Sequence, residues 1–202
     1  MKTLGIQLAA AVEGRIDAAV VERIAEHLGF SISNVYGRKG KVFLRQRINN
    51  FNNAARFQPW IVLTDLDNDF DCAPKLIASW LPGPAASGMR LRVAVREVEA
   101  WLLADRARFA PFIGVSQSIV TLNPEALTDP KREIVNLARR SRKREIRESI
   151  APRPGSSNPI GPAYTSALEE YIRDRKSGWR PQIAATFSSS LNRCLKAIAS
   201  FE

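Results

Sequence analysis

Two periods of apolar residues alternate along the first half of this chain. Continuous apolar runs in "TLGIQLAAAV" (3–12) and "WIVLTDL" (60–66) predict buried strands. Between them, "DAAVVERIAEHLGF" (17–30) places apolar residues at helical spacing, with Asp17 near its start and Gly29 at its C-cap. "SISNVYG" (31–37) predicts a short strand, "GRKGK" (37–41) a basic glycine loop, and "VFLRQRINNFNNAARF" (42–57) a second helix. A short helix opened by Pro74 is expected over "APKLIASWL" (73–81), then a turn-rich break in "PGPAASG" (82–88). "MRLRVAVREVEAWLLAD" (89–105) begins in strict alternation at Leu91, Val93 and Val95, then passes to helical spacing around Glu97.

Strands alternating with helices predict parallel βαβ units, so the expected fold is α/β with a parallel sheet of about four strands flanked by helices. That pattern occupies residues 1–105, and a basic, mainly helical region packed on this core is expected over 106–202. Within it, "DPKREIVNLARRSRKREIRESI" (129–150) reads as a basic helical segment and "APRPGSSNPIGP" (151–162) as a loop. "AYTSALEEYIRD" (163–174) and "SSSLNRCLKAIASF" (188–201) read as amphipathic helices, the last capped by serine.

The chain has 202 residues, 45% of them apolar, enough for one sizeable core with or without a small appended subdomain. No apolar run approaches the ~18 residues that cross a bilayer. The N-terminal "MKTLGIQLAAAVEGRID" resembles a weak secretory signal but runs into a charged periodic segment, and it reads as mature protein. Cys72 and Cys194 lie far apart and His27 is the single histidine, which argues against a Cys/His zinc site and a disulfide framework. A cytoplasmic protein with free thiols is expected. His27 falls at the end of a helical pattern and is expected to be a helix-end residue rather than a catalytic base.

The net charge of +10 points to a polyanionic partner, nucleic acid first. Residues 1–88 carry 10 basic and 8 acidic groups, whereas 89–202 carry 20 and 12. The excess of positive charge therefore lies in the second half. The acidic cluster Asp65, Asp67, Asp69 and Asp71 lies in the first.

Ligands of an open parallel sheet bind at the carboxyl ends of its strands. Three predicted strands end in acids: the first at Glu13-Gly14, the third at Asp65-Leu66-Asp67, the fourth at Glu97 and Glu99. Converging carboxylates without histidine or cysteine suit Mg2+ or Mn2+. Each also has a plain structural reading, as turn, cap or solvated loop. Asp69 and Asp71 are expected to cap the helix near Pro74 or face solvent. An EF-hand begun at Asp65 would need glycine sixth and glutamate twelfth, where Phe70 and Leu76 stand. A haloacid-dehalogenase-type phosphatase has threonine or valine where Asp69 stands, and its motif follows the first strand.

The pairing of "AAAVEGRID" with "IVLTDLD" resembles the Toprim domain of topoisomerases, primases, overcoming-lysogenization-defect nucleases and small ribonucleases. "DLDNDFDC", "REVEAWLLAD" and "SLNRC" extend the likeness over most of the chain, to an uncharacterised bacterial family of stand-alone Toprim-like proteins. The resemblance implies a Toprim-like Rossmannoid core over residues 1–105. It implies Glu13 as the acid of the first motif and Asp65 and Asp67 as metal ligands. Gly14 would allow a tight turn beside them, and Glu99, with Glu97 second, would be an additional ligand. The chain lacks a strand-passage tyrosine domain, a primase zinc module and the ATPase half of the large nucleases. The resemblance therefore implies a stand-alone nuclease-like unit, or one acting with a separately encoded ATPase or defence partner.

On this reading, Glu13, Asp65, Asp67 and Glu99 would hold Mg2+ or Mn2+ for hydrolysis of DNA or RNA, with a possible role in phage defence or nucleic-acid processing. Lys39 and Lys41 would contact phosphate near the site. The run Arg139, Arg140, Arg142, Lys143, Arg144 and Arg147 would grip the backbone. Trp101, Trp179 and Tyr164 are candidates for stacking on bases, with core packing the better reading of Trp101. The competing expectations are a non-catalytic module binding nucleic acid or a partner, and a metal-dependent phosphatase. No membrane partner is expected.

Overall fold

A computed structural model describes residues 6–201. The start of the first predicted strand, residues 3–5, lies outside them. The chain divides into two compact units, Met1–Val95 with Ser190–Glu202, and Arg96–Ser189.

The first unit is built on a four-stranded, all-parallel sheet in the order β2-β1-β3-β4. Its strands are β1 (Gln7–Val12), β2 (Ser31–Gly37), β3 (Trp60–Asp65) and β4 (Met89–Ala94). Their continuous apolar runs follow from burial on both faces: Leu8 through Val12 and Ile61 through Leu63 are fully buried. The connections are α1 (Arg15–His27), α2 (Lys41–Ala54) and α3 (Ala73–Trp80). Ala9, Ala11, Trp60, Val62 and Leu91 pack with Leu44, Ile48 and Phe51 of α2 and with Leu76 and Trp80 of α3. Arg90 and Arg92 alternate with these β4 residues and so point to the opposite face. Arg90 Nε donates to Ala197 O at 2.9 Å, so the last helix, α10 (Ser189–Ala199), lies against β4. His27 is the last residue of α1, as expected.

The chain runs from β1 to β2 at one edge, then crosses back beyond β1 to β3 and β4. The switch in direction falls between β1 and β3, whose carboxyl ends form the crevice where such sheets bind ligands. Gly37 closes β2 beside this crevice with φ +89°, and a Cβ there would lie 2.3 Å from Val12 O. Only glycine fits both the backbone angle and the approach.

The second unit is helical: α4 (Val98–Ala104), α5 (Arg106–Ile113), α6 (Pro130–Arg139), α7 (Arg144–Ile150), α8 (Tyr164–Arg173) and α9 (Pro181–Ala184), with two short 3-10 turns. Every residue of α4 is buried, as expected of a helix apolar on nearly all sides. Trp101, Phe109, Tyr164 and Trp179 are the largest fully buried side chains, and Trp179 Nε1 donates to Trp101 O at 3.0 Å. Their burial leaves Trp101, Trp179 and Tyr164 no face for stacking on bases. The predicted basic segment 129–150 is two helices, broken around Ser141. No helix among the described residues is long and apolar enough to cross a membrane.

Candidate metal centre at the sheet edge

Val12 pairs with Leu63 across the β1–β3 ladder, so the next residues, Glu13 and Thr64, meet at the switch point. The Glu13 carboxylate accepts hydrogen bonds from the Thr64 hydroxyl and, at 2.9 Å, from the Asp65 backbone N–H. Two carboxylate-bearing residues on adjacent strands are thus joined by direct contact.

The third strand shows why an apolar residue separates its two aspartates. Leu66 is 2% exposed, packs into the α2–α3 core and donates its N–H to Ala94 O at 2.8 Å. Strand alternation then turns Asp65, the last residue of β3, away from that core. Asp67, two residues past the end of β3, takes φ +50°, a left-handed conformation that aspartate tolerates better than most residues.

Lys41 joins the cluster from the first turn of α2. Its Nζ lies 2.8 Å from Asp67 Oδ2 and 2.8 Å from Asp69 Oδ2, and donates to Leu66 O at 3.3 Å. Its side chain is only 17% exposed, which separates it from the freely solvated lysine that a basic glycine loop suggests. Burial alone would lower its pKa, but the bonds and charges of Asp67 and Asp69 outweigh burial and raise it. Lys39, by contrast, is exposed, with its ammonium 5.6 Å from the Phe43 ring centre.

Burial lifts the Glu13 pKa above the usual carboxylate range, and Asp67 adds to the rise. Thr64, the Asp65 N–H and Lys41 oppose the rise without cancelling it. The Gly14 backbone is extended, with φ −141°, so no tight turn demands glycine there. The constraint is space: the Gly14 N–H donates to Asp17 Oδ2 at 3.0 Å, and a Cβ would stand 3.1 Å from that oxygen.

Asp71 is 83% exposed and pairs with Lys75 one helical turn on. Neither it nor Asp69 caps α3, whose N-cap is Cys72. Thr64 and the Lys41–Asp69 link are contacts at this edge that sequence reasoning missed. A polar residue inside the run "IVLTDL" was the available signal for Thr64.

Glu97 and Glu99 belong to the second unit. Glu97 accepts from the Lys131 N–H at 2.9 Å and from Lys131 Nζ at 3.0 Å, holding the first turn of α6. Glu99 is 2% exposed, accepts from the Tyr164 hydroxyl at 3.1 Å and lies 3.7 Å from Lys131 Nζ. Burial, helped by the Glu97 charge, raises its pKa against the opposing pull of Lys131 and Tyr164.

All six residues of the basic run are exposed. Lys143 Nζ donates to the carbonyls of Pro111 and Phe112, Arg147 to that of Ser141, Arg144 to Glu148, and Arg139 to Asn136. Among the described residues, the guanidinium groups of Arg140 and Arg142 alone in this run make no such contact.

The oxygen-only donors Glu13, Asp65 and Asp67 fit a hard divalent cation by their chemistry. A desolvated Glu13 carboxylate beside Asp67 has the like-charge cost that such a cation relieves. Among the described residues no three acidic, histidine or cysteine side chains stand ready-gathered around one point; Lys41 supplies the positive charge at Asp67. No family model matches this sequence, no curated protein matches it, and no solved structure matches the chain.

Proposed function

We propose that this protein is a cytoplasmic, Mg2+- or Mn2+-dependent nuclease of Toprim type, with its centre at the β1–β3 switch point. The observation that carries this reading is the contact of Glu13 with Thr64 and the Asp65 N–H at the carboxyl ends of adjacent parallel strands. Glu13, Asp65 and Asp67 would hold the ion. Bound there, the ion would lower the pKa of a water and neutralise charge on a phosphodiester. Thr64 and the Asp65 N–H fix the Glu13 carboxylate in place. Lys41 holds Asp67 and Asp69, and with an ion bound at Asp67 its charge would be available to a substrate phosphate.

Incubating the protein with labelled DNA and RNA, with and without Mg2+ or Mn2+, tests the reading. Metal-dependent cleavage of either polymer is expected. The same assay on Glu99→Gln tests the additional ligand that the sequence resemblance implies. The Lys41–Asp67 pair favours a second reading, a non-catalytic nucleic-acid-binding module whose acidic edge is internally neutralised. Binding without cleavage under every metal condition would establish it. Phosphate release from small monoesters with polymers untouched would indicate a phosphatase instead.

The unpaired guanidiniums of Arg140 and Arg142 sharpen the expected nucleic-acid contact. Replacing both by alanine is expected to weaken binding across sequences and to flatten the plot of log Kd against log salt by about two. Fluorescence anisotropy at several salt concentrations reads this slope. An unchanged slope would remove both residues from the interface.

A further inference from the structure

A cavity of about 590 Å³ opens in the second unit, lined by α5, α7, α8 and the turn after α8. Its volume falls within the range of small-molecule sites. Phe112 and Tyr171 stack in its wall with ring centres 4.4 Å apart and planes at 20°, and Ile146 adds apolar surface. Tyr171 is 3% exposed, and its hydroxyl has no hydrogen-bond partner among the described residues. Burial, reinforced by Asp105, raises its pKa well above the ordinary value, so the group remains neutral.

The charges around the cavity decide what it takes. Both cations of the lining are engaged by backbone carbonyls: Arg108 donates to Gly178 O at 2.8 Å, and Lys143 to Pro111 O at 2.8 Å and Phe112 O at 3.2 Å. Asp174 accepts from the N–H groups of Lys176 and Ser177 in its own turn. Glu145 and Glu170 line the cavity, are exposed, and have no side-chain partner among the described residues. An aromatic wall in a lining with three carboxylates against two cations is an unusual local sign in a chain of net charge +10.

We infer that this cavity binds a small organic cation, a primary amine on an aromatic body, with the ring against Phe112 and the ammonium at Glu145 and Glu170. Aromatic surface favours both halves of such a ligand, by stacking and by cation–π attraction. An anion of the same shape meets a lining in which three carboxylates, Glu145, Glu170 and Asp174, outnumber the two cations, Arg108 and Lys143.

The probe is tryptamine, titrated into the full isotope-labelled chain while backbone amide signals are followed, with indole-3-propionate as the anionic counterpart. Saturable shifts confined to residues around Phe112, Glu145–Ser149 and Ala167–Tyr171 are expected with tryptamine, and at least about fivefold weaker binding with the acid. Glu145→Gln with Glu170→Gln should weaken tryptamine by about fivefold or more while leaving the rest of the spectrum in place. No saturable shift, equal binding of amine and acid, or tryptamine binding unchanged by the double substitution would overturn the inference.

Discussion

Replacing Arg180 by alanine is expected to destabilise the second unit by about 3–5 kcal/mol, the cost of leaving a buried charge without its partner. Asp105 is wholly buried. Its carboxylate accepts from Arg180 Nε at 2.9 Å, from Arg180 Nη2 at 2.7 Å and from the Arg180 N–H at 3.1 Å. The fork ties the α4–α5 junction, where Asp105 is the N-cap of α5, to the stretch that carries Trp179 into the core. Lysine cannot reproduce the two-pronged contact, so Arg180→Lys should recover only part of the loss. Replacing both partners together, Asp105→Leu with Arg180→Met, should cost less than Arg180→Ala alone, because no charge is then stranded. Urea unfolding followed by tryptophan fluorescence measures all three. A loss below about 1 kcal/mol for Arg180→Ala, the level of an exposed pair, would show that the pair contributes little.

Asp65→Asn is expected to lower metal-dependent cleavage by at least about 100-fold, since a bound metal ion contributes several kcal/mol of charge stabilisation and each ~1.4 kcal/mol is tenfold in rate. Glu13→Gln should act similarly, and for a separable reason. Its amide oxygen can still accept from Thr64 and the Asp65 N–H, so the strand ends keep their contact while the negative charge is lost. Folding should therefore persist. Because burial raises the Glu13 pKa, ionising this carboxyl costs the folded state stability as pH rises. In metal-free buffer at neutral pH, Glu13→Gln should thus unfold at the same temperature as the parent or higher. Loss of cleavage with retained stability assigns Glu13 to chemistry; loss of both would make it a structural residue.

Those two results would rest on parts of the molecule that differ in how far they could be read from sequence. Strands β1 and β3 announce themselves because burial on both faces leaves unbroken apolar runs. The switch from strand to helix near Glu97 follows from the change of period after Val95. The break between α6 and α7 has a signal that composition hides: no apolar residue falls between Ala138 and Ile146, so a continuous helix there would have nothing to bury. Helix α5 escaped because it is short and carries Pro111 inside it.

At the site, Glu13, Asp65 and Asp67 were legible as acids at strand ends, since parallel strands bring such ends to one edge. That Glu13 meets Thr64 depends on the β1–β3 register, which no local pattern encodes. Lys41 read as one of several loop cations. Its pairing with Asp67 and Asp69 links residues more than 20 positions apart in sequence. The attachment of α10 to β4 through Arg90 is long-range in the same way. Glu99 read as a strand-end acid; its place on α4, every residue of which is buried, and its contacts with Tyr164 and Lys131 were not legible from the local pattern.

The most direct measurement is Mn2+ binding by electron paramagnetic resonance, which reads free ion in the presence of the parent chain, Asp65→Asn and Glu13→Gln. Saturable depletion of free Mn2+ by the parent, weakened about tenfold or more in each variant, is the predicted result. Equal free Mn2+ in all three samples would contradict a metal centre at the β1–β3 switch point.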